Sequence, residues 1–147
     1  INTAYFHPRP TLLLALLAAL RRKVDVKIIV PRQSDVRFFP WLSRAFFVGL
    51  IDAGAEIYEY EGPMMHAKTT LFDDSALVGS TNLNYRSFMH DLELDVVVDR
   101  SDCVAALEER FRVDLSRSDE VSRREARGYS FGARFVSALL FPFKRWL

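Results

Sequence analysis

Cysteine and net charge are both scarce in this sequence. The only cysteine, Cys103, has no partner for an internal disulfide, so its simplest interpretation is a small buried apolar residue at the start of a helix. The 20 lysine and arginine residues are balanced by 19 aspartate and glutamate residues, and the formal net charge at pH 7 is +1. Nucleic-acid binding normally requires a strongly basic face or stripe, so the overall charge does not favour a nucleic-acid partner.

Long apolar runs and several catalytic signatures are also missing. The dense apolar run over residues 12–20 is shorter than the roughly 20 residues that span a bilayer, so any anchoring helix has to lie outside this sequence. No GxSxG elbow, GxxxxGK phosphate loop, HExxH pair or cysteine pair occurs, and we expect neither a metal nor a cofactor. The chain begins at Ile1 and enters a strand-like segment without a signal peptide, which we interpret as the start of a fragment.

What the sequence does contain is the composition of one folded domain and an alternation of strands and helices. Hydrophobic residues make up 50% of the chain and charged residues 27%, the balance of a globular domain. Segments 2–6, 24–30 and 55–60 are rich in β-branched and aromatic residues and predict strands. Segments 12–20 and 38–53 predict the helices that cross over between them. This alternation predicts an α/β fold.

The next segment predicts a β-hairpin. Residues 65–72 form its first strand, Asp73 and Asp74 its turn, and residues 76–78 the strand that returns to Gly79. Such a hairpin brings the beginning of the first strand close to the end of the second. A short helix after Asn84, a strand over 92–98 and a helix over 102–115 complete the prediction.

The hairpin's first strand carries His66, Lys68 and Thr70 at alternate positions. Alternate side chains of a strand share a face, so the imidazole and the ammonium are expected to lie side by side. An imidazole titrates near neutral pH, and a lysine is a compact cation that holds a phosphate. Together the two groups can bind and attack a phosphodiester without a metal. Taken alone, the same alternation is more typical of a solvated sheet face.

Three residues after the hairpin favour catalysis over that solvated face. Gly79 allows close backbone approach, Ser80 offers a hydroxyl and a backbone amide, and Asn82 offers an amide donor. A turn with these groups can bind phosphate oxygens and stabilise the charge that develops on a phosphoryl group. We therefore predict a substrate phosphate site formed by Lys68, Ser80 and Asn82.

These residues resemble the signature of the phospholipase D superfamily, which is His-x-Lys, four residues, Asp, and then Gly-Ser-x-Asn. The chain is similar to the second, carboxy-terminal catalytic half of bacterial cardiolipin synthases over about residues 1–100. The segments that carry this wider similarity are residues 3–8, 24–31, 57–60, 84–88 and 92–94. The resemblance implies a phospholipase D-type α/β fold with a mixed, largely parallel β-sheet flanked by helices and a carboxy-terminal helical tail.

The resemblance also implies a set of catalytic residues, namely His66, Lys68, Asp73 and Glu93. Family members form a phosphohistidine intermediate that an incoming hydroxyl releases. We expect His66 to carry out acid–base work, and Glu93 to accept a hydrogen bond from its other ring nitrogen and fix the tautomer. Asp73 is expected to act structurally, because it lies at the turn and points away from His66.

The tail is the basis for predicting a membrane partner. We divide the chain into a catalytic domain, residues 1–118, and a cationic amphipathic helical tail, residues 119–147. Such segments lie among lipid head groups with their apolar side buried and their cations near anionic lipid. Docking of this helix on the domain's own core, or on a missing half, is the alternative. We predict that the protein is located at the bacterial cytoplasmic membrane, in contact with its lipids.

The chain has one His-Lys motif where the family's active site uses two. An upstream half of the same protein, or a second copy across a two-fold axis, is therefore the expected partner, and the chain by itself is expected to be inactive. The resemblance implies a phosphatidyltransferase that acts on a phospholipid such as phosphatidylglycerol. A phospholipase D hydrolase is the first alternative, and a single-motif nuclease dimer is the second.

Overall fold

The computed structural model describes residues 1–140, and in the last helix it describes side chains up to Tyr129 and at 132 and 133. The strands are β1 (Asn2–Thr3), β2 (Lys27–Pro31), β3 (Glu56–Tyr60), β4 (Lys68–Phe72), β5 (Ser75–Gly79), β6 (Asp95–Val98) and β7 (Ser118–Glu120). The helices are α1 (Pro10–Arg21), α2 (Phe39–Asp52), α3 (Tyr85–Met89), α4 (Ser101–Leu115) and α5 (Arg123–Leu140). The predicted α/β class is confirmed.

The seven strands form one mixed sheet in the order β6-β5-β4-β1-β2-β3-β7. Only the β1–β2 and β2–β3 pairs are parallel, and the other four neighbouring pairs are antiparallel. The sheet is therefore less parallel than we expected. Parallel pairing needs a crossover such as α1 or α2, whereas the two-residue turn between β4 and β5 can only give an antiparallel pair.

Helices cover the two faces of the sheet around separate cores. Alternate residues of β2 point to opposite faces, so Ile28 joins one core and Ile29 the other. The larger core lies under α1, α2 and the start of α5, and includes the fully buried Phe47. The smaller core lies under α4 and packs Met65, just before β4, near Phe111. The segment that leads into β4 is thereby held against the face of the sheet that α4 covers.

The first residues of the predicted tail pack on the domain itself. Strand β7 pairs with β3, so it crosses the boundary that we placed between residues 118 and 119. The Arg44 guanidinium of α2 lies 4.6 Å from the centre of the Tyr129 ring of α5 and is 2.8 Å from the buried Glu59 carboxylate. Residues 141–147 lie outside the described residues, and the expected membrane contact stays a prediction.

Cys103 is exposed in the first turn of α4, so its interpretation as a buried apolar residue is wrong. That position faces solvent because α4 buries other residues of its first turns, such as Val104, against the sheet. Among the described helices, none is long and apolar enough to cross a bilayer.

Candidate active site

His66 and Lys68 are in direct contact. The strand that we predicted from residue 65 begins only at Lys68, so His66 lies two residues before β4. The Lys68 Nζ lies 2.9 Å from His66 Nδ1 and 3.3 Å from Nε2, and it donates to the His66 carbonyl oxygen at 2.9 Å. Burial lowers the pKa of Lys68, while the negative charges of Glu93 and Asp35 act in the opposite direction. The expected pair of imidazole and ammonium therefore exists, with the cation beside the ring that is to react.

The turn after β5 is held by the neighbouring strand. A Cβ atom added at Gly79 would lie 2.6 Å from the Asp95 Cα, so only glycine allows β5 and β6 to approach here. The Asp95 carboxylate accepts hydrogen bonds from the backbone amide and the hydroxyl of Thr81 at 3.2 and 2.5 Å. The close approach that we expected at Gly79 is thus made by a strand of the same chain.

Ser80 is partly committed to the same contact. Its backbone amide donates to the Leu94 carbonyl at 3.1 Å and is not available to a phosphate, because the antiparallel pairing continues one residue beyond β5. Its Oγ accepts from the Leu94 amide at 3.0 Å. The same hydroxyl donates to the Leu94 carbonyl at 3.5 Å, a long bond that it would exchange to donate to a substrate oxygen.

Asn82 stands between the turn and the short helix α3. Its side-chain oxygen is buried and accepts no hydrogen bond from the described residues. A carboxamide carries two N–H donors besides this oxygen, and those donors are the groups that suit a phosphate. Asn84, two residues later, caps α3 by accepting a hydrogen bond from the Ser87 amide at 2.9 Å, which fixes where the turn ends.

A groove of about 600 Å³ runs over these residues. It is lined by His66, Lys68, Gly79, Ser80, Asn82, Arg86, Asp91, Leu92 and Glu93. The structure therefore brings together every predicted site residue except Asp73. We call this cavity the catalytic groove.

Glu93 lines the catalytic groove without the contact that we expected. No hydrogen bond joins Glu93 to His66 among the described residues, and the nearest partner of the imidazole is instead the Lys68 ammonium. The Glu93 charge does raise the pKa of Lys68 against the effect of burial, so the carboxylate is close enough to interact electrostatically with the ammonium.

Asp73 lies outside the catalytic groove. It occupies the two-residue turn between β4 and β5, with a positive φ of 40° and an exposed side chain. It comes five positions after Lys68 along an extended strand, roughly 16 Å at about 3.3 Å per position. The position suits a residue that tolerates the left-handed region, as aspartate does.

Sequence reasoning missed two residues beside His66. The Tyr5 ring stands edge-on to the imidazole with the ring centres 6.0 Å apart, and its hydroxyl donates to the Asp35 carboxylate at 2.6 Å. Burial, with the hydrogen bond to Asp35, raises the pKa of Tyr5 to about 12, and the same bond lowers the pKa of Asp35. Both residues follow parallel strands, whose carboxyl ends share one edge of the sheet. This rule could have predicted from the sequence that the two residues lie near each other.

The described residues contain no cluster of three or more histidine, cysteine, aspartate or glutamate side chains that could hold a metal ion. The groups that the structure assembles are a histidine, a lysine and neutral hydrogen-bond donors. This set is suited to binding a phosphodiester and to moving a proton or forming a bond at the imidazole.

Comparisons with known proteins identify the family of the chain. A family model described as "Cardiolipin synthase, PLD-like domain" matches residues 1–115. Cardiolipin synthase A from Yersinia pseudotuberculosis and from Yersinia pestis bv. Antiqua are each 45% identical to the chain over 100 residues. That match covers 67% of this chain, and the chain spans only 21% of the length of either relative.

Solved structures show the same fold. Nuc from Salmonella typhimurium, a phospholipase D family member, superposes with a TM-score of 0.69 at 21% identity over 80% of this chain and 78% of its own. Phosphatidylserine synthase from Haemophilus influenzae gives a TM-score of 0.73 at 16% identity over 98% of this chain and 39% of its own. Together with the family model, these likenesses show that the chain belongs to the phospholipase D superfamily, among the cardiolipin synthase-type domains.

Proposed function

We propose that the chain is one catalytic half of a phosphatidyltransferase of the cardiolipin synthase type. The observation that carries this proposal is the contact between Lys68 Nζ and His66 Nδ1 at 2.9 Å, within a groove that also contains Ser80 and Asn82. Family membership supports the same class of reaction. The reaction moves a phosphatidyl group between two alcohols and needs neither a metal nor a cofactor.

His66 acts as the acid and base of this transfer. A histidine of the second half attacks the phosphorus of the donor lipid, and the bond from phosphorus to the donor's head-group oxygen breaks. His66 gives its proton to the leaving oxygen, which departs as an alcohol. In the second step the acceptor hydroxyl attacks the phosphohistidine, the phosphorus–nitrogen bond breaks, and His66 takes the acceptor's proton.

Lys68 and the turn stabilise the charge on the phosphoryl oxygens. The Lys68 ammonium lies close enough to the imidazole to hold an oxygen of the phosphorus that reacts there. The Ser80 hydroxyl and the Asn82 amide add neutral donors at the same groove. Partial burial of Lys68 reduces competition from water and strengthens its effect on an anionic ligand.

The second half is proposed to cover the open side of this groove. Apolar side chains next to the groove are exposed, and those of the α3 region and β6 are Phe88, Met89, Leu92, Leu94, Val96 and Val97. Leu92 is fully exposed although it lines the groove. Exposed apolar side chains beside an edge strand are typical of an interaction site, and β6 is an edge strand of the described sheet. The match covers only 21% of the length of the relatives, which therefore have room for such a half.

The substrate is proposed to be a phospholipid such as phosphatidylglycerol, which places the protein at the bacterial cytoplasmic membrane. Arg123 is paired with Asp52, whereas the exposed Arg124 would contribute about 1 kcal/mol near anionic lipid. Within the described part of α5, Ala126 and Ala133 are fully buried and Tyr129 packs against the core of the domain. The charged face of the helix is therefore the one directed to solvent or lipid.

Product analysis by mass spectrometry tests this function. The full-length protein that carries the chain is incubated with phosphatidylglycerol vesicles without added metal, beside the His66→Ala variant and the control His90→Ala. His90 is exposed and lies outside the groove, so it reports on the loss of an imidazole elsewhere. Cardiolipin and glycerol from wild type and His90→Ala, with none from His66→Ala, are expected.

The other outcomes separate the alternatives. Phosphatidic acid as the main product would identify a hydrolase that uses water as its acceptor. No lipid turnover, with salt-sensitive cleavage of DNA by a dimer, would identify a nuclease. Turnover by His66→Ala would contradict the role proposed for this residue.

A further inference from the structure

A second cavity, of about 220 Å³, adjoins the catalytic groove. The two cavities share Asn82, Arg86 and Asp91 in their linings, so a ligand held in one can reach into the other. We call the second cavity the side pocket. The catalytic residues His66 and Lys68 do not line it, and the phosphate site therefore leaves it unused.

The floor of the side pocket contains a polar group without a partner. Ser87 is only 5% exposed, and its hydroxyl makes no hydrogen bond with the described residues. Its backbone amide, by contrast, is satisfied by the Asn84 side chain. The hydroxyl opens onto the pocket that Ser87 lines, so it is free to exchange a hydrogen bond with an occupant.

An ion pair, in which each partner keeps unpaired polar atoms, lies at the boundary between the two cavities. Arg86 Nε lies 3.0 Å from Asp91 Oδ1. Within the described part of the chain, Asp91 Oδ2 accepts no hydrogen bond and the terminal nitrogens of Arg86 donate none. The pair is neutral overall and offers both an acceptor and donors, which suits a ligand whose hydroxyl groups need both.

The opposite wall is apolar. Tyr5, Val36 and Phe38 line it, and the Tyr5 hydroxyl is already bound to Asp35 at 2.6 Å, so the residue presents its ring. Phe38 is 39% exposed, which leaves part of its ring free to contact a ligand. Aromatic and aliphatic surface opposite polar groups matches a molecule with hydroxyls on one side and C–H bonds on the other.

We propose that the side pocket binds a neutral polyol head group, of which glycerol is the simplest, and directs its free hydroxyl into the catalytic groove. This inference rests on the proposed function, and it assigns the acceptor alcohol of the transfer to the side pocket. Asp91 Oδ2 and the Ser87 hydroxyl take hydrogen bonds from the polyol, and Arg86 donates to it. One further hydroxyl attacks the phosphohistidine, and its proton passes to His66 as the phosphorus–nitrogen bond breaks.

Titration of the ¹⁵N-labelled chain with glycerol tests the pocket without any need for turnover. Glycerol is expected to shift the amide signals of Phe38, Ser87 and Asp91. Loss of one hydrogen bond should raise the apparent Kd about fivefold in Ser87→Ala and about tenfold in Asp91→Asn.

Two control variants match these changes. Ser43 is as buried as Ser87, also lies on a helix, and does not line the pocket, so Ser43→Ala controls for loss of a helical hydroxyl. Asp102 pairs with Arg100 elsewhere on the surface, so Asp102→Asn controls for breaking an ion pair. Both should retain the wild-type Kd.

Choline is the comparison ligand, because aromatic walls can also hold a quaternary ammonium group. Shifts of the same amides at lower choline than glycerol concentrations would overturn the proposal, and so would their absence with glycerol. Equal Kd values in wild type, Ser87→Ala and Asp91→Asn would overturn it as well.

Labelled glycerol added to the vesicle assay gives an independent readout. The ratio of labelled phosphatidylglycerol to phosphatidic acid should fall in Ser87→Ala and stay at the wild-type value in Ser43→Ala. An unchanged ratio alongside normal lipid turnover would refute the side pocket and leave the transferase intact. Absence of turnover in the wild type would refute the transferase, while the titration would still decide the pocket.

Discussion

Two regions of the sheet differ in how deeply their strands are buried. In the parallel region, β1 to β3 with α1 and α2, four of the five residues of β2 are buried. In the motif region, β4 to β6, none of the five residues of β4 is fully buried. The parallel region holds the fold together. The motif region presents the side chains that we propose to be catalytic, at a strand whose start is packed against the smaller core.

The difference explains why the site can be open without loss of the fold. Side chains that must meet a substrate have to reach solvent, so they add little apolar burial to the free energy of folding. The buried residues next to them, such as Met65, fix the strand from the side of α4. Substitutions in the two regions should therefore separate stability from activity.

The largest expected effect is on the core of the parallel region. Phe47 is fully buried, and Phe47→Ala should lower the free energy of unfolding by about 3–5 kcal/mol. Phe72, at the end of β4, is 55% exposed, and Phe72→Ala should change it by less than about 0.5 kcal/mol. Urea denaturation measures both, and equal losses would remove the distinction between the regions.

Gly79→Ala is expected to have the next largest effect. The added methyl group would collide with the backbone of Leu94 and Asp95, and overpacking of this kind costs about 1–3 kcal/mol. Activity should fall as well, because β6 and the turn are displaced. Full activity and unchanged stability in this variant would show that β5 and β6 are not held as described.

Asp73→Ala should have a smaller effect, confined to the turn. Alanine at a positive φ costs about 1 kcal/mol, and activity should decline only in parallel with the melting temperature. Asp74→Ala, in the same turn without a positive φ, is the control. A folded but inactive Asp73→Ala protein would contradict a structural role.

The smallest expected effect is a dependence of stability on pH. Burial lowers the pKa of Lys68 below its ordinary 10.5, so between the lowered value and 10.5 the unfolded chain binds more protons than the folded chain. Lys68 thus makes stability rise with pH across that window, while activity falls as the ammonium loses its proton. The difference between wild type and Lys68→Met in urea denaturation isolates this contribution, and a difference that decreases or stays constant with pH would contradict it.

The sequence predicted the motif region better than the organisation of the sheet. Alternation predicted that His66 lies beside Lys68, and the two are in contact although β4 begins only at Lys68. The strand β7 was missed, since Ser118–Glu120 is short and polar and pairs with β3 only because the chain folds back after α4. Local pattern does not record such long-range pairing.

The candidate site was also predicted only in part. The commitment of the Ser80 amide to Leu94 depends on where β5 and β6 stop pairing, which no motif states. Tyr5 and Asp35 lie far from the motif in sequence and reach His66 only through the parallel order of β1 and β2. The side pocket likewise requires the loop before α2 to meet α3.

The most direct test of the account compares activity with stability in Lys68→Met. The variant keeps an unbranched side chain and removes the ammonium that contacts His66. Removing a donor to a developing charge should lower kcat/KM about 10²-fold or more, with the free energy of unfolding at pH 7 at least equal to that of the wild type. Retained activity, or a loss of activity that follows a loss of stability, would contradict the claim that this strand serves catalysis.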